Sequence, residues 1–219
     1  MNRFWIILTV VIIAMAGLFI ATKKETPKVT VNGDPKTVLD NDHVRGDKNS
    51  PVTLIEYGDF QCPGCGSYYS IIKSLEQTYA GKVNFVFRHF PLIQIHPNAF
   101  AASRAAEAAG KQGKFFEMHD KLYETQKLWG QASTNQQALF EGYAEELGLN
   151  METFKKDYAS SEVADRINSD LEIGKQEFGI DSTPTFIIDG VKIENPKDAA
   201  GFSKLLDEAI AKAGASTPQ

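Results

Sequence analysis

Val52-Thr53-Leu54-Ile55-Glu56-Tyr57-Gly58-Asp59-Phe60-Gln61-Cys62-Pro63-Gly64-Cys65 decides how the chain is read. The stretch is entered from Ser50-Pro51 and begins as an apolar strand. It ends in two cysteines three positions apart, and these are the only cysteines in the 219 residues. Two thiols with that spacing at the start of a helix can close a small ring and reopen it by thiol–disulfide exchange. A structural zinc site needs four ligands. The four histidines, His43, His89, His96 and His119, show no His-x-x-x-His type of spacing. A static disulfide across so short a loop removes little chain entropy. The pattern therefore predicts a redox-active dithiol, with no metal and no cofactor beyond the Cys62–Cys65 pair itself.

Working outward, a helix over 67–79 carries Tyr68, Ile71, Ile72 and Leu75 at helical spacing, and Val83-Asn84-Phe85-Val86-Phe87 reads as a second, central strand. Strand, helix, strand in this order is a right-handed βαβ unit. A helical block follows: from Asn98, expected as a cap, to 111, then over 114–126, 135–147, 151–158 and 161–178. The sheet resumes at Thr185-Phe186-Ile187-Ile188, turns at Asp189-Gly190 and returns through Val191-Lys192-Ile193-Glu194. A last helix runs over 198–213. The fold class is α/β, with a βαβ half and a ββα half separated by a helical insertion over about 96–178, too long for a loop.

Residues 4–21 contain no charge, enough for a helix of about 27 Å, flanked by Arg3 and by Lys23-Lys24. We expect residues 1–22 to be an uncleaved signal anchor, with Ala14-Met15-Ala16 as the competing cleavage site. The lysines would place the domain inside, whereas disulfide chemistry is useful outside the cytoplasm; the expectation is a single-pass membrane protein with its domain extracytoplasmic. Residues 23–50 read as a polar tether, 51–214 as one domain and 215–219 as a tail. The net charge is −5 and no basic run occurs, which argues against nucleic-acid binding.

Four segments together resemble the DsbA-like branch of the thioredoxin superfamily: Ile55-Glu56-Tyr57-Gly58-Asp59-Phe60-Gln61-Cys62-Pro63-Gly64-Cys65; Phe87-Arg88-His89-Phe90-Pro91-Leu92; His96-Pro97-Asn98-Ala99 with the helix beyond it and Gly113-Lys114-Phe115-Phe116-Glu117-Met118-His119-Asp120; and Gly179-Ile180-Asp181-Ser182-Thr183-Pro184-Thr185-Phe186-Ile187-Ile188-Asp189-Gly190. The resemblance is to membrane-anchored extracytoplasmic bacterial members. It implies a thioredoxin fold with the helical insertion and a thiol:disulfide oxidase acting on reduced or unfolded exported proteins. It also implies reoxidation by a membrane partner of the DsbB or VKOR type.

On that resemblance Cys62 is the nucleophile, half exposed at a helix N-terminus, and Cys65 the buried resolving thiol. Pro63 and Gly64 tune the couple; Gly64 departs from the histidine of the best-known family oxidase and supplies neither hydrogen bond nor charge. Pro184 is implied to be cis, with Thr183 presenting its backbone to an extended substrate and its hydroxyl to the couple. Glu56 is read either as a proton acceptor for Cys65 or as a paired structural carboxylate. Asp59 is expected in a turn, and Arg88, His89, His96 and His119 in structural roles. A monomer is expected, since no dimerisation segment is evident. The competing functions are a reductase or isomerase and a non-catalytic peptide-binding module.

Overall fold

The computed structural model describes residues 33–47 and 49–215. Among the described residues five strands form one sheet: β1 (His43–Arg45), β2 (Val52–Gly58), β3 (Val83–His89), β4 (Thr185–Ile188) and β5 (Val191–Lys192), in the order β1-β3-β2-β4-β5. β2 and β3 pair in parallel from Val52↔Val83 to Gly58↔His89, joined through α1 (Pro63–Thr78), as the βαβ reading requires. β4 pairs antiparallel with β2 and with β5. Between β3 and β4 stand α2 (Ala99–Gly110), α3 (Phe115–Glu124), α4 (Gln126–Trp129), α5 (Gln137–Glu146), α6 (Met151–Ala159) and α7 (Ser161–Phe178). α8 (Ala199–Ala215) closes the described chain.

Side chains alternate across the sheet. Val52, Leu54, Phe85 and Phe186 face one way and pack on Ile72 and Leu75 of α1 and Phe202 and Leu206 of α8. Ile55, Tyr57, Val86 and Ile187 face the other way, onto Ile173, Ile180 and Leu39. A third core lies inside the insertion. There Ala102, Ala105, Ala106, Ala108 and Ala109 of α2 are fully buried and let α3, α5, α6 and α7 approach closely, and this core runs without a break into Phe60, Cys62 and Cys65. The insertion is thus packed directly on the dithiol.

Local chemistry sets the boundaries. Asn150 and Ser160 accept the Thr153 and Val163 main-chain N–H groups as caps of α6 and α7. α7 ends at Gly179 in the left-handed region, with Ile180 N–H donating back to Gly174 O. Asp189 and Gly190 both take positive φ, the requirement of a two-residue primed hairpin turn. Asn98 differs from expectation. Its side chain caps no helix; its amide donates to Ala132 O and Thr134 O and its oxygen accepts Gln136 N–H. The loop over 130–136 offers main-chain groups that need partners, and Asn98 lies within reach of them.

The tether expected over 23–50 is corrected for its described part. His43–Arg45 is an edge strand on β3, Leu39 is buried, and Asp42 forms an ion pair with Arg88 inside the protein. The physical reason is Arg88 itself, a fully buried guanidinium that donates to Tyr57 Oη and finds its other partners in this segment: Asp42 through two nitrogens, Pro35 O and Thr37 O. Among the described residues no helix is long and apolar enough to cross a membrane. The run 4–21, on which the anchor and signal readings rest, lies outside the described residues, as do residues 216–219 of the expected tail.

Candidate active site

The turn from β2 into α1 presents the dithiol. Cys62 is the N-cap residue, extended at φ −68° and ψ 121°, and Pro63 takes the first helical position, where its missing N–H costs nothing. Both cysteines are free thiols. Cys65 has no exposed surface and Cys62 keeps 8%, so the expected half-exposure of Cys62 is corrected. Cys62 belongs to the apolar core that the insertion extends to the turn, and Thr183 and Pro184 lie over the helix start.

The Thr183–Pro184 peptide bond is cis, and this segment lies against the dithiol. The Cys62 thiol donates to Thr183 O at 3.4 Å. A Cβ built on Gly64 would stand 3.3 Å from Pro184 Cδ and 3.5 Å from Cys62 Sγ, so the glycine marks a close approach of the two segments. The Thr183 hydroxyl is buried and has no hydrogen-bond partner among the described residues. The carbonyl can only accept and so serves the thiol form. Once Cys62 is a thiolate, the hydroxyl is the Thr183 group able to donate to it.

The electrostatics separate the two sulfurs. A hydrogen bond from Cys65 is the largest influence on Cys62. Burial opposes it; Thr183 and the main-chain N–H groups of Cys65 and Gly64 add to it, and together they bring the Cys62 thiol from an ordinary 9.0 down to about 5. Burial, then the hydrogen bond to Cys62 and the charges of Glu56 and Cys62, push Cys65 well above the usual thiol range. Main-chain N–H of Asp59 donates to Cys65 Sγ at 3.4 Å.

Glu56 lies on β2 beneath this pair. Burial, reinforced by the charges of Glu76 and Cys62, raises its carboxyl to about 8. Among the described residues its Oε1 has no hydrogen-bond partner, which speaks against the paired carboxylate of the alternative reading. A cavity of about 20 Å³, room for one water molecule, runs from Glu56 past Ile72 and His119 to Lys73 and Glu76.

Other residues meet around the turn in ways the sequence did not signal. Gln126 of α4 donates to Phe60 O and Cys62 O, both at 2.8 Å. Asp59 is the expected turn residue, accepting Gln61 N–H at 2.7 Å, but it also accepts Leu92 N–H and pairs with His96 Nδ1 at 2.7 Å. Arg88 and His89, expected in structural roles, are both fully buried. His89 Nε2 and His43 Nε2 both meet Glu107 Oε1, at 2.9 and 2.8 Å. Burial opposes the ionised Glu107, yet the two histidine hydrogen bonds hold its carboxyl well below the usual range. These three side chains bring ligand-type atoms within 4.8 Å of one another. A metal-bound histidine ordinarily donates its second ring N–H to a partner. The buried His89 Nδ1 has none, so the cluster fits a hydrogen-bonded triad.

Comparison with known proteins agrees with this geometry. A Na(+)/H(+) antiporter NhaA 1 of Salinispora arenicola (strain CNS-205) is 38% identical over 172 residues, which are 78% of this chain and 25% of that protein. The chain therefore spans about a quarter of the length of the curated relatives it matches. The fold is shared with Wolbachia pipientis alpha-DsbA1, with a TM-score of 0.73 and 24% identity over 82% of this chain and 96% of that one. It is shared also with Pseudomonas aeruginosa DsbA2, at a TM-score of 0.63 and 26% identity over 78% of this chain and 96% of that one. The thioredoxin family profile matches residues 38–208. A match over that length means that the chain belongs to the thioredoxin family, in the DsbA-like form of its fold.

Proposed function

We propose that the chain is a thiol:disulfide oxidase that transfers its Cys62–Cys65 disulfide to reduced exported proteins. The observation that carries this reading is the asymmetry of the two sulfurs. A Cys62 held as an anion stabilises the dithiol relative to the disulfide, and a dithiol so stabilised makes its disulfide a stronger oxidant.

A substrate thiolate attacks Cys62 Sγ, the Cys62–Cys65 bond breaks, and Cys65 leaves as a thiolate. Glu56, neutral below about pH 8, is the acid that supplies its proton. A second substrate thiolate then attacks the substrate sulfur of the mixed disulfide and expels Cys62 as the stabilised anion. The substrate has lost two electrons to the cysteine pair, and the reoxidase of DsbB or VKOR type removes them. Substrate docks along Thr183 and Pro184 beside Cys62. The groove lined by Pro63, His96 and the 69%-exposed Ile95 supports binding of unfolded, apolar segments. The apolar run at 4–21 supports membrane anchoring with the domain extracytoplasmic.

Gly64 favours a second reading, a reductase or isomerase, because it withholds from Cys62 the side-chain donor of a strong oxidant. Equilibration with glutathione decides between them. A potential near about −120 mV supports the oxidase and one near about −270 mV the reductase. Cys65→Ser should trap a mixed disulfide with reduced substrate through Cys62; trapping through neither cysteine removes the exchange mechanism.

A further inference from the structure

No side chain between Cys62 and Cys65 carries a positive charge. One stands close by on another segment. Asp59 is fully buried and its carboxylate is fixed by three donors: Gln61 N–H, Leu92 N–H and His96 Nδ1. Its main-chain oxygen accepts the Cys62 N–H at 3.1 Å. His96 keeps 15% of its side chain exposed and shares with Pro63 the wall of the groove beside Cys62. With His96 protonated the pair is neutral. With His96 neutral, a bare carboxylate remains three residues from the sulfur that must itself hold negative charge.

We propose that His96 is a redox-linked proton site: it holds its proton more tightly while Cys62 is a thiolate than when Cys62 and Cys65 are joined, and thereby tunes the couple. His96 is a positioning residue, acting through Asp59 and through its charge. The Asp59 hydrogen bond raises the imidazole above its ordinary value against the opposing effect of burial, and the Asp59 and Cys62 charges add to the rise. Linkage requires reciprocity: whatever factor the thiolate adds to proton affinity at His96, the proton adds to the stability of the thiolate. For a partly exposed pair that factor is about three- to tenfold.

The reaction that reads it is balanced with glutathione disulfide as oxidant. Cys62 thiolate and Cys65 thiol become the protein disulfide, and glutathione disulfide takes the two electrons to give one thiolate and one thiol. His96 loses its anionic neighbour and releases part of a proton.

The charged groups facing His96 are Asp59 and Cys62; the opposite wall of the groove, residues 130–133, carries no titratable side chain. Around Cys62 the other titrating groups are Cys65 and Tyr123, both raised well above their ordinary values, and Glu56 at about 8. Glu56 titrates inside the pH span of the experiment, so the measurement is made with and without Glu56→Gln.

This inference rests on the exchange chemistry proposed above, and the test separates the two. Histidine ring proton resonances of the full chain are followed from pH 5 to 9 in the reduced and oxidised states, with His96 assigned by its loss in His96→Gln. The His96 midpoint should be higher in the reduced protein by the equivalent of three- to tenfold in proton affinity. The glutathione equilibrium constant should bend between the two midpoints, and His96→Gln, which keeps an amide donor for Asp59, should remove the bend. Equal midpoints in the two redox states, with normal glutathione equilibration, overturn the inference and leave the oxidoreductase reading intact. Failure to equilibrate with glutathione overturns that reading and the inference with it. Should His96→Gln fail to fold, the wild-type midpoints decide, with the resonance assigned instead by elimination through His43→Gln, His89→Gln and His119→Gln.

Discussion

Gln126 of the insertion donates its side-chain amide to the main-chain oxygens of Phe60 and Cys62 at 2.8 Å each, clamping the strand-to-helix turn from outside the sheet. The clamp also explains Gly66, where a Cβ would run into the Gln126 amide. Gln126→Ala removes this donor from Phe60 O and leaves Cys62 O only the Gly66 N–H, and should cost about 1–3 kcal/mol. Gly66→Ala should destabilise by forcing the amide away. The double variant should cost less than the sum, because alanine at 126 clears the space the new methyl needs. Denaturant melts of the two single variants and the double variant measure this coupling; simple additivity would contradict direct contact.

The titration of Cys62 follows from its hydrogen bonds. Alkylation of the reduced protein should reach half its maximal rate near pH 5 and be flat above about pH 6.5. Cys65→Ala removes the largest stabilising hydrogen bond and should raise that midpoint by about 1–2 units. The stability consequence has a definite sign. The folded-state value of Cys62 is depressed from 9.0 to about 5, so its contribution is present above pH 9 and lost as pH falls through 5. The oxidised protein has no such group. Reduced protein should therefore gain stability over oxidised protein between pH 5 and 9, which paired melts in the two redox states will show.

These two cases mark what the sequence could and could not reveal. The dithiol, the strands around it, the Asp189-Gly190 hairpin and α7 over Ser161–Phe178 are written in short-range patterns: residue spacing, period two, period 3.6 and turn chemistry. The Gln126 clamp has no such signature, because its partners lie more than sixty positions away and are main-chain oxygens that every residue possesses. Asp59 with His96 and Arg88 with Asp42 are likewise brought together only by the fold, 37 and 46 positions apart, with no local pattern linking them. Arg88 alone gave a signal that could have been followed: an arginine inside an apolar strand demands a buried carboxylate somewhere. The burial of Cys62 was missed because exposure at a helix start is decided by what packs over it, here the insertion and the Thr183–Pro184 segment.

Glu56 should act on both pH stability and rate. Its folded-state carboxyl is raised from 4.5 to about 8, so the proton it retains favours the folded state at low pH. Between pH 4.5 and 8 the unfolded chain is ionised while the folded chain is not; stability falls across that window and levels off above it. Glu56→Gln should flatten this decline while leaving acid stability nearly unchanged. With no acid to protonate the leaving Cys65, the same variant should slow disulfide transfer about a hundredfold at pH 7. Rapid-mixing kinetics with a reduced peptide measure this; an unchanged rate would leave Glu56 without a part in proton transfer.

Asp42 and Arg88 decide where the folded domain begins. Both side chains are fully buried, and two guanidinium nitrogens reach the two carboxylate oxygens at 3.0 and 2.7 Å. Asp42→Ala strands a buried cation and should cost about 3–5 kcal/mol. Replacing both residues by leucine should cost less than that single change, since no unpaired charge then remains in the interior. A chain beginning at residue 51 loses Asp42, the Pro35 and Thr37 carbonyl acceptors, the β1 pairing and the buried Leu39 together, leaving Tyr57 as the one of these Arg88 partners still present. It should fail to unfold cooperatively, whereas a chain beginning at residue 33 should melt like the longer protein. Denaturant unfolding of the two truncations makes the comparison, and a stable, cooperative domain from residue 51 would return residues 33–50 to the tether read from their composition.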